Sequence, residues 1–133
     1  MLAIVKESLM NPRTAGYWAT TGLLAAVLFG AGAGALTQQK SLVETMEHLG
    51  FPIYVMRILG TWYVGAAVAL VVPGLPLAKE WAYAGVVFAM TGAFASHLFA
   101  GDAIADYVPP VVLISLAVAS HVLRPASRRL GAA

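Results

Sequence analysis

Two polar side chains interrupt long apolar stretches of this sequence and could line a binding site. Arg57 lies five residues beyond Pro52, and His97 lies four residues before Gly101. If both stretches are helices that start at the same membrane face, both side chains lie about 6–7 Å below it. A charge at that depth is costly, so it either reaches lipid headgroups or faces a polar cavity. Headgroup contact and an outward-facing pocket are therefore the alternative interpretations of Arg57.

Other polar and aromatic side chains cluster around the same depth. Tyr54 and Thr61 share a helix face with Arg57. Trp62 and Tyr63 lie about 15 Å deep, away from the interfaces where aromatic belts form, so they either pack between helices or line a bound ring. We predict a pocket for the polar head of a quinone or lipid, with the ligand-binding residues Arg57, His97, Tyr54, Thr61, Trp62 and Tyr63. Four residues of the connections are expected to form an outer polar network: Glu44, Glu47, His48 and Asp102. The alternative is a structural network that pairs Arg57 with an acid.

The same residues argue against metals and intrinsic redox centres. His97 and His121 are separated by about 16 Å along the predicted membrane normal, so they are unsuited to ligate one haem. His48 with Glu44 and Glu47 is more typical of a solvated helix face than of a metal site. The sequence has no cysteine, which excludes disulfides, thiol chemistry and iron–sulfur clusters. We therefore predict no metal, no catalytic residue that can be named, and no intrinsic cofactor beyond a bound quinone or lipid. The net charge of +2 is too small and too dispersed for a nucleic-acid partner.

The elements that must position these residues are apolar helices. Four stretches contain no Asp, Glu, Lys or Arg: 14–39, 58–78, 81–101 and 107–123. Only 11% of all residues are charged, and the mean hydropathy is +0.81. Each stretch approaches the roughly 20 residues of helix that cross a bilayer, and none alternates as barrel strands do. We predict an all-α membrane protein, a four-helix transmembrane bundle in a single domain over 1–133, with helices at about 14–36, 52–72, 80–101 and 107–123. The apolar run of the first is too long for a cleaved signal sequence.

The connections predict one further helix and an orientation. Leu42, Val43, Met46 and Leu49 recur at helical spacing, which indicates a short interfacial helix between helices 1 and 2. Basic residues concentrate at the termini and in the connection between helices 2 and 3: Lys6, Arg13, Lys79, Arg124, Arg128 and Arg129. The positive-inside rule then places both termini in the cytoplasm, for a bacterial inner membrane. Small residues four apart predict the seams of close helix packing, at Ala26, Gly30 and Gly34 and at Gly85, Ala89 and Ala93.

Several segments resemble one family. His48-Leu49-Gly50-Phe51-Pro52, the run from Pro73 to Gly85, Ser96-His97-Leu98 and Gly101-Asp102 are similar to the DoxX-like family of small bacterial membrane proteins, over about Tyr17 to Pro125. The resemblance implies a four-helix transmembrane bundle and a role beside membrane oxidoreductases. It also implies a fold like that of membrane sterol isomerases, in which a cavity holds a hydrophobic molecule. Family members often carry a basic residue at the position of Ala35 and a charged one near Tyr63. Both departures favour a packing or partner role over catalysis.

Three functional hypotheses follow. The first is an accessory or partner subunit of a membrane redox system, as a homo-oligomer or in a complex, that binds a quinone or lipid in an outward-facing pocket. The second is a membrane enzyme of the sterol-isomerase-like type, in which His97 and either Asp102 or a glutamate of the connection form an acid/base pair. The third is a transporter, which the lack of a polar track through the midplane disfavours unless the chain oligomerises.

Overall fold

The computed structural model describes residues 1–3, 6 and 11–131, and that part of the chain is helical, with no strand. The helices are α1 (Pro12–Leu36), α2 (Lys40–His48), α3 (Ile53–Val71), α4 (Pro76–Ala100) and α5 (Ile104–Leu123), followed by a single 3₁₀ turn at Ala126–Arg128. Four of them, α1, α3, α4 and α5, are long and apolar enough to cross a membrane. The predicted all-α fold with four spans is confirmed. The predicted short helix is present as α2, and its place at a lipid interface stays a prediction.

Two helices begin earlier than the sequence suggested. The turn expected over residues 73–76 ends at Leu75, whose φ of 53° lies in the left-handed region, and Pro76 is the first residue of α4. Proline suits that position because its fixed φ is already helical and its missing N–H would have no helical partner. Helix α5 begins at Ile104, so Pro109 and Pro110 lie inside the helix. Each costs one backbone hydrogen bond, a loss that membrane helices tolerate.

The four long helices form a ring in which α1 and α4 each contact α3 and α5. Helix α1 approaches α3 most closely where Gly32 faces Gly60. A Cβ on Gly32 would lie 2.9 Å from the Gly60 carbonyl oxygen, and a Cβ on Gly60 would lie 2.9 Å from that of Gly32. The prediction that Gly30 lies in the α1 seam is wrong, because a Cβ there would meet nothing within 4 Å. The close contact of α1 with α3 is instead made by the face of α1 that carries Gly32, two residues beyond Gly30.

The hydrophobic core is concentrated at one end of the bundle. We call the end that carries the 72–75 turn and residues 124–131 the tail end, and the opposite end, with α2 and the α4–α5 connection, the α2 end. Leu24, Leu28 and Leu70 are completely buried, and the core extends from Leu70 near the tail end to Leu28 beyond the middle of α1. Along α4 the buried side chains stop at Met90, so the last ten residues of that helix pack loosely. The space left at the α2 end is where a cavity forms.

Candidate functional site

Asp102 joins two histidines at the α2 end of the bundle. Its carboxylate oxygens lie 2.6 Å from His48 Nε2 and 2.7 Å from His97 Nδ1. The side chains of Asp102 and His97 are only 12% and 15% exposed, whereas that of His48 is 57% exposed. Because His48 ends α2 and His97 lies in the last turn of α4, the aspartate fastens the short helix to the bundle.

Local backbone geometry explains why Asp102 reaches back to His97. Gly101 has a φ of 73°, which reverses the chain after α4 at little steric cost. The N–H of Asp102 then donates to the carbonyl of His97, and that of Gly101 donates to the carbonyl of Leu98, the arrangement of a Schellman motif. The Tyr107 hydroxyl donates to the Asp102 carbonyl at 3.1 Å. The connection between α4 and α5 is therefore held in one conformation.

These contacts determine the proton positions on His97. The hydrogen bonds from His97 and His48 lower the pKa of the Asp102 carboxyl, so this group is an anion that can only accept. The ring nitrogen that donates to it, Nδ1 of His97, must carry a proton. In the neutral imidazole Nε2 is then an acceptor, and it forms no hydrogen bond with the described residues. His97 thus presents a base that an aspartate orients.

A cavity of about 420 Å³ lies beside His97, between α3, α4 and α2. Leu42, Met46 and Leu49 of α2 cover it, and Tyr63 of α3 lies on its wall. Its lining is apolar apart from the residues His97, Ser96, Thr45 and Tyr63. An apolar pocket with a few polar groups at one end is the usual form of a site for an amphiphilic small molecule. We call it the α2-end cavity.

The structure divides the predicted ligand-binding residues into two groups. His97 and Tyr63 line the α2-end cavity, whereas Tyr54, Arg57, Thr61 and Trp62 do not and are exposed on the outer surface of the bundle. Trp62 is 70% exposed, and the Thr61 hydroxyl donates to the Arg57 carbonyl. A single pocket that contains both Arg57 and His97 is therefore not formed. Arg57 has the exposure expected of a side chain that reaches headgroups.

The predicted outer polar network is also divided. His48 and Asp102 are hydrogen bonded, but Glu44 and Glu47 are exposed on α2 and take no part in the cluster. Glu44 lies 3.8 Å from Lys40 in an exposed pair that adds little stability. Among the described residues no group of three His, Asp or Glu side chains could hold a metal ion.

A second polar cluster, at the tail end, was missed by the sequence reasoning. Glu80 binds Arg124 at 2.6 Å and His121 at 3.1 Å. Arg124 is buried, with its guanidinium 5.3 Å from the centre of the Tyr83 ring. The sequence signal was only the proximity of His121 to Arg124 along the chain. The cluster attaches the chain after α5 to α4.

Two further side chains near the tail end, Lys79 and Tyr83, are buried. Lys79 is completely buried, and its ammonium donates to the carbonyls of Ala69, Val72 and Gly74, which satisfies acceptors left at the end of α3. The Tyr83 hydroxyl is hydrogen bonded to the Ser120 hydroxyl at 2.7 Å, and the Ser120 hydroxyl is in turn hydrogen bonded to that of Thr21. All these groups have partners within the protein, so we assign them structural roles.

Comparison with known proteins agrees with the fold. The family model described as the DoxX-like family matches residues 19–120, which include α2, α3, α4, the Asp102 cluster and most of α1 and α5. No curated protein and no solved structure matches the chain. The matched segment covers most of the 133 residues and includes all or most of each of the four apolar helices. This chain is a multi-pass membrane protein that belongs to the DoxX-like family.

Proposed function

We propose that this protein binds a quinone or a lipid in the α2-end cavity and acts as an accessory subunit of a membrane redox system. The α2-end cavity carries this proposal: it is large enough for a ring or a chain segment, and its wall is apolar with polar groups at one end. On this proposal His97 binds the polar head, Asp102 orients His97, and α2 covers the entrance. The remaining contacts would be apolar.

The orientation and assembly belong to the same proposal. With both termini in the cytoplasm of a bacterial inner membrane, the cavity opens near the outer face of that membrane. On the exposed α3 surface, Tyr54 and Arg57 would contact lipid headgroups, a partner subunit or a second copy of the chain, and Trp62, which is deeper, would contact one of the two proteins. The basic residues near the tail end support this orientation through the positive-inside rule.

The test uses a glycine that lines the cavity. A Cβ on Gly92 would meet nothing within 4 Å, and Gly92 lines the α2-end cavity, so we use Gly92→Leu to fill part of that cavity. Gly30→Leu is the matched control, because a Cβ on Gly30 also meets nothing and the residue does not line the cavity. Both proteins are purified in mild detergent, and quinones and lipids that co-purify are quantified by mass spectrometry.

We expect a hydrophobic molecule to co-purify with the wild type and with Gly30→Leu, and its amount to fall at least tenfold in Gly92→Leu. Partner proteins are identified in the same samples. Equal amounts in all three proteins would show that the molecule is bound elsewhere and would refute the cavity as the site. Loss of the co-purified molecule from both variants would indicate a general effect of leucine on the bundle and would also remove the support for the α2-end cavity as the binding site.

A second candidate function is a membrane enzyme of the sterol-isomerase-like type, and the hydrogen bond between Asp102 and His97 favours it. A carboxylate that orients an imidazole and leaves Nε2 as a base is a recurrent acid/base arrangement. An unsaturated sterol incubated with the protein in D₂O should then gain deuterium at the carbon that is protonated. His97→Gln should abolish incorporation while the sterol still binds. No incorporation by the wild type would reject this candidate for the sterol probe.

A further inference from the structure

A second cavity lies between α3 and α4 on the tail side of the first. It is a groove of about 500 Å³ that opens on the outer surface of the bundle, because Trp62 of α3 and Trp81 of α4 in its wall are 70% and 69% exposed. Gly85 of α4 also lines it. We call it the tail-side cavity. Leu59, Tyr63 and Ala89 line both cavities, so the two spaces adjoin at these three side chains. Together they form one seam along the α3–α4 contact.

The seam has nearly the full height of a bilayer. It extends along α4 from His97 at the α2 end to Ala78 at the tail end. Nineteen helical residues correspond to about 28 Å, close to the roughly 30 Å thickness of a hydrocarbon core. A ligand whose head binds His97 therefore has an apolar path for a long tail along the same two helices.

The chemistry of the seam changes from one end to the other. Polar side chains at the α2 end are His97, Ser96 and Thr45, and the tail-side cavity is lined by apolar and aromatic residues. Tyr63 lies at the junction, and its hydroxyl forms no hydrogen bond with the described residues. A phenolic hydroxyl near the midplane has no water to bind, so an unpaired one favours a ligand oxygen.

The charges in the cavity walls and the position of the proton on His97 limit the chemical class of the head group that can bind. No Lys or Arg lines either cavity, so the phosphate of a phospholipid would have no counter-charge there. In the neutral imidazole, with its proton on Nδ1 towards Asp102, His97 Nε2 is an acceptor, and an acceptor pairs with a hydroxyl and not with a carbonyl. The best match is a neutral molecule with a hydroxyl head and one long tail.

We propose that the seam binds a single-chain prenylated quinol, with its hydroxyl head between His97 and Tyr63 and its tail in the tail-side cavity. This inference rests on the proposed function and specifies the redox form and the tail path of its ligand. The tail is surrounded by hydrocarbon before and after binding, so its contribution comes from packing in the seam rather than from removal from water. We therefore expect a moderate dependence of affinity on tail length.

Three glycine-to-leucine variants separate the head site from the tail path. A Cβ at Gly85, Gly92 or Gly30 would meet nothing within 4 Å. Gly85 lines only the tail-side cavity, Gly92 lines only the α2-end cavity, and Gly30 lines neither. Binding is measured in nanodiscs of phosphatidylcholine, with benzoquinols that carry a tail of one isoprene unit or of eight. The corresponding quinones and an anionic phospholipid are measured as competitors.

We expect the wild type to bind the long-tailed quinol at least fivefold more tightly than the short-tailed one, and the quinol more tightly than its quinone. Gly85→Leu should remove the advantage of the long tail and leave the affinity for the short-tailed quinol unchanged. Gly92→Leu should weaken the binding of both quinols, and Gly30→Leu should change the affinity for neither of them. The fivefold difference is the quantity that decides whether the tail lies in the seam.

The outcomes distinguish the two proposals. If Gly92→Leu weakens binding but Gly85→Leu keeps the advantage of the long tail, the tail path is refuted and the α2-end site stands. If Gly92→Leu has no effect on either quinol, the α2-end site itself fails. Preference for the quinone over the quinol would refute the hydroxyl head, and displacement by the anionic phospholipid at lower concentration would refute the neutral single-chain ligand.

Discussion

Replacing Lys79 with methionine should destabilise the bundle without impairing the ligand site. Lys79 is completely buried, and its ammonium donates to the carbonyls of Ala69, Val72 and Gly74. Methionine fills similar volume but donates no hydrogen bond. Ala69 lies in the last turn of α3, where helix carbonyls have no partner within the helix, and Val72 and Gly74 follow that helix. The Val72 carbonyl also accepts from Arg128 at 3.4 Å. The carbonyls of Ala69 and Gly74 would therefore lose the only side-chain donor that they have among the described residues.

The magnitude follows from those two carbonyls. A hydrogen bond to a charged group contributes about 1.5–3 kcal/mol, which gives roughly 3–6 kcal/mol for two. Removing the ammonium also removes the cost of burying a charge, so we take the lower end, about 3 kcal/mol. That is roughly a 150-fold change in the unfolding equilibrium constant, since about 1.4 kcal/mol is tenfold.

The assay is reversible unfolding in mixed micelles, followed by far-UV circular dichroism as the fraction of SDS increases. Lys40→Met is the control, because the Lys40 side chain is 90% exposed and its loss should change the unfolding free energy by less than about 0.5 kcal/mol. Folded Lys79→Met should bind the quinol as the wild type does. A variant as stable as the wild type, or one that is stable but does not bind, would refute the structural role of this lysine.

Three further outcomes test other parts of the structure. In the same assay Gly32→Ala should lower the unfolding free energy by about 1–3 kcal/mol, because its Cβ meets the Gly60 carbonyl. Gly30→Ala should be neutral or slightly stabilising. Equal effects of the two substitutions would contradict the close approach of α1 to α3 at Gly32. Hydrogen bonds from the two histidines lower the pKa of Asp102 in the folded state, so their stabilisation is present above about pH 4 and is lost as the pH falls through the folded pKa. The melting temperature of the wild type should therefore fall more steeply below pH 4 than that of Asp102→Asn, and parallel curves would contradict the cluster. Arg57→Ala should leave the affinity for the quinol in nanodiscs unchanged, because Arg57 lies outside both cavities. A tenfold loss of affinity would show that Arg57 belongs to the binding site.

Depth in the membrane could be predicted from the sequence, whereas direction around the helix could not. Residue counts placed Arg57 and His97 at similar depth. Charge-free stretches of about 20 residues that cross a bilayer form helices, because the helix satisfies every backbone hydrogen bond within the segment. Which face of α3 turns inward depends on its neighbours. Met56 and Gly60 are buried against α1, and a step of one residue rotates the side chain by about 100°, so Arg57 points outward.

The Asp102 cluster was partly predictable. His48 and Asp102 were expected in one polar network, and His97 was expected in a pocket. The hydrogen bonds that join Asp102 to His97 and His48 depend on Gly101, whose left-handed backbone reverses the chain so that Asp102 contacts the helix that it follows. A sequence indicates that Gly-Asp ends a helix, but not which of several nearby acids reaches the histidine. Glu44 and Glu47 were equally plausible from spacing, and both are exposed.

Two positions that the family resemblance singles out both line the α2-end cavity. The resemblance implies charged residues in other members at or near Ala35 and Tyr63, and both residues line the same space as His97. A charge at either position would need a counter-charge or water at that depth. The apolar Ala35 and the neutral Tyr63 therefore favour a neutral ligand in this chain, in agreement with the absence of Lys and Arg from the cavity walls.

The buried charged groups that stabilise the bundle and the polar head of the ligand site lie at opposite ends. The charged groups of the tail end, Lys79, Glu80 and Arg124, are paired within the protein, and the buried core lies beside them. At the α2 end α4 buries no side chain beyond Met90, and α2 is attached through Asp102. Regions with few buried contacts open at lower free energy than the core. Ligand entry can therefore proceed by local movement of α2 while the tail end keeps the four helices together.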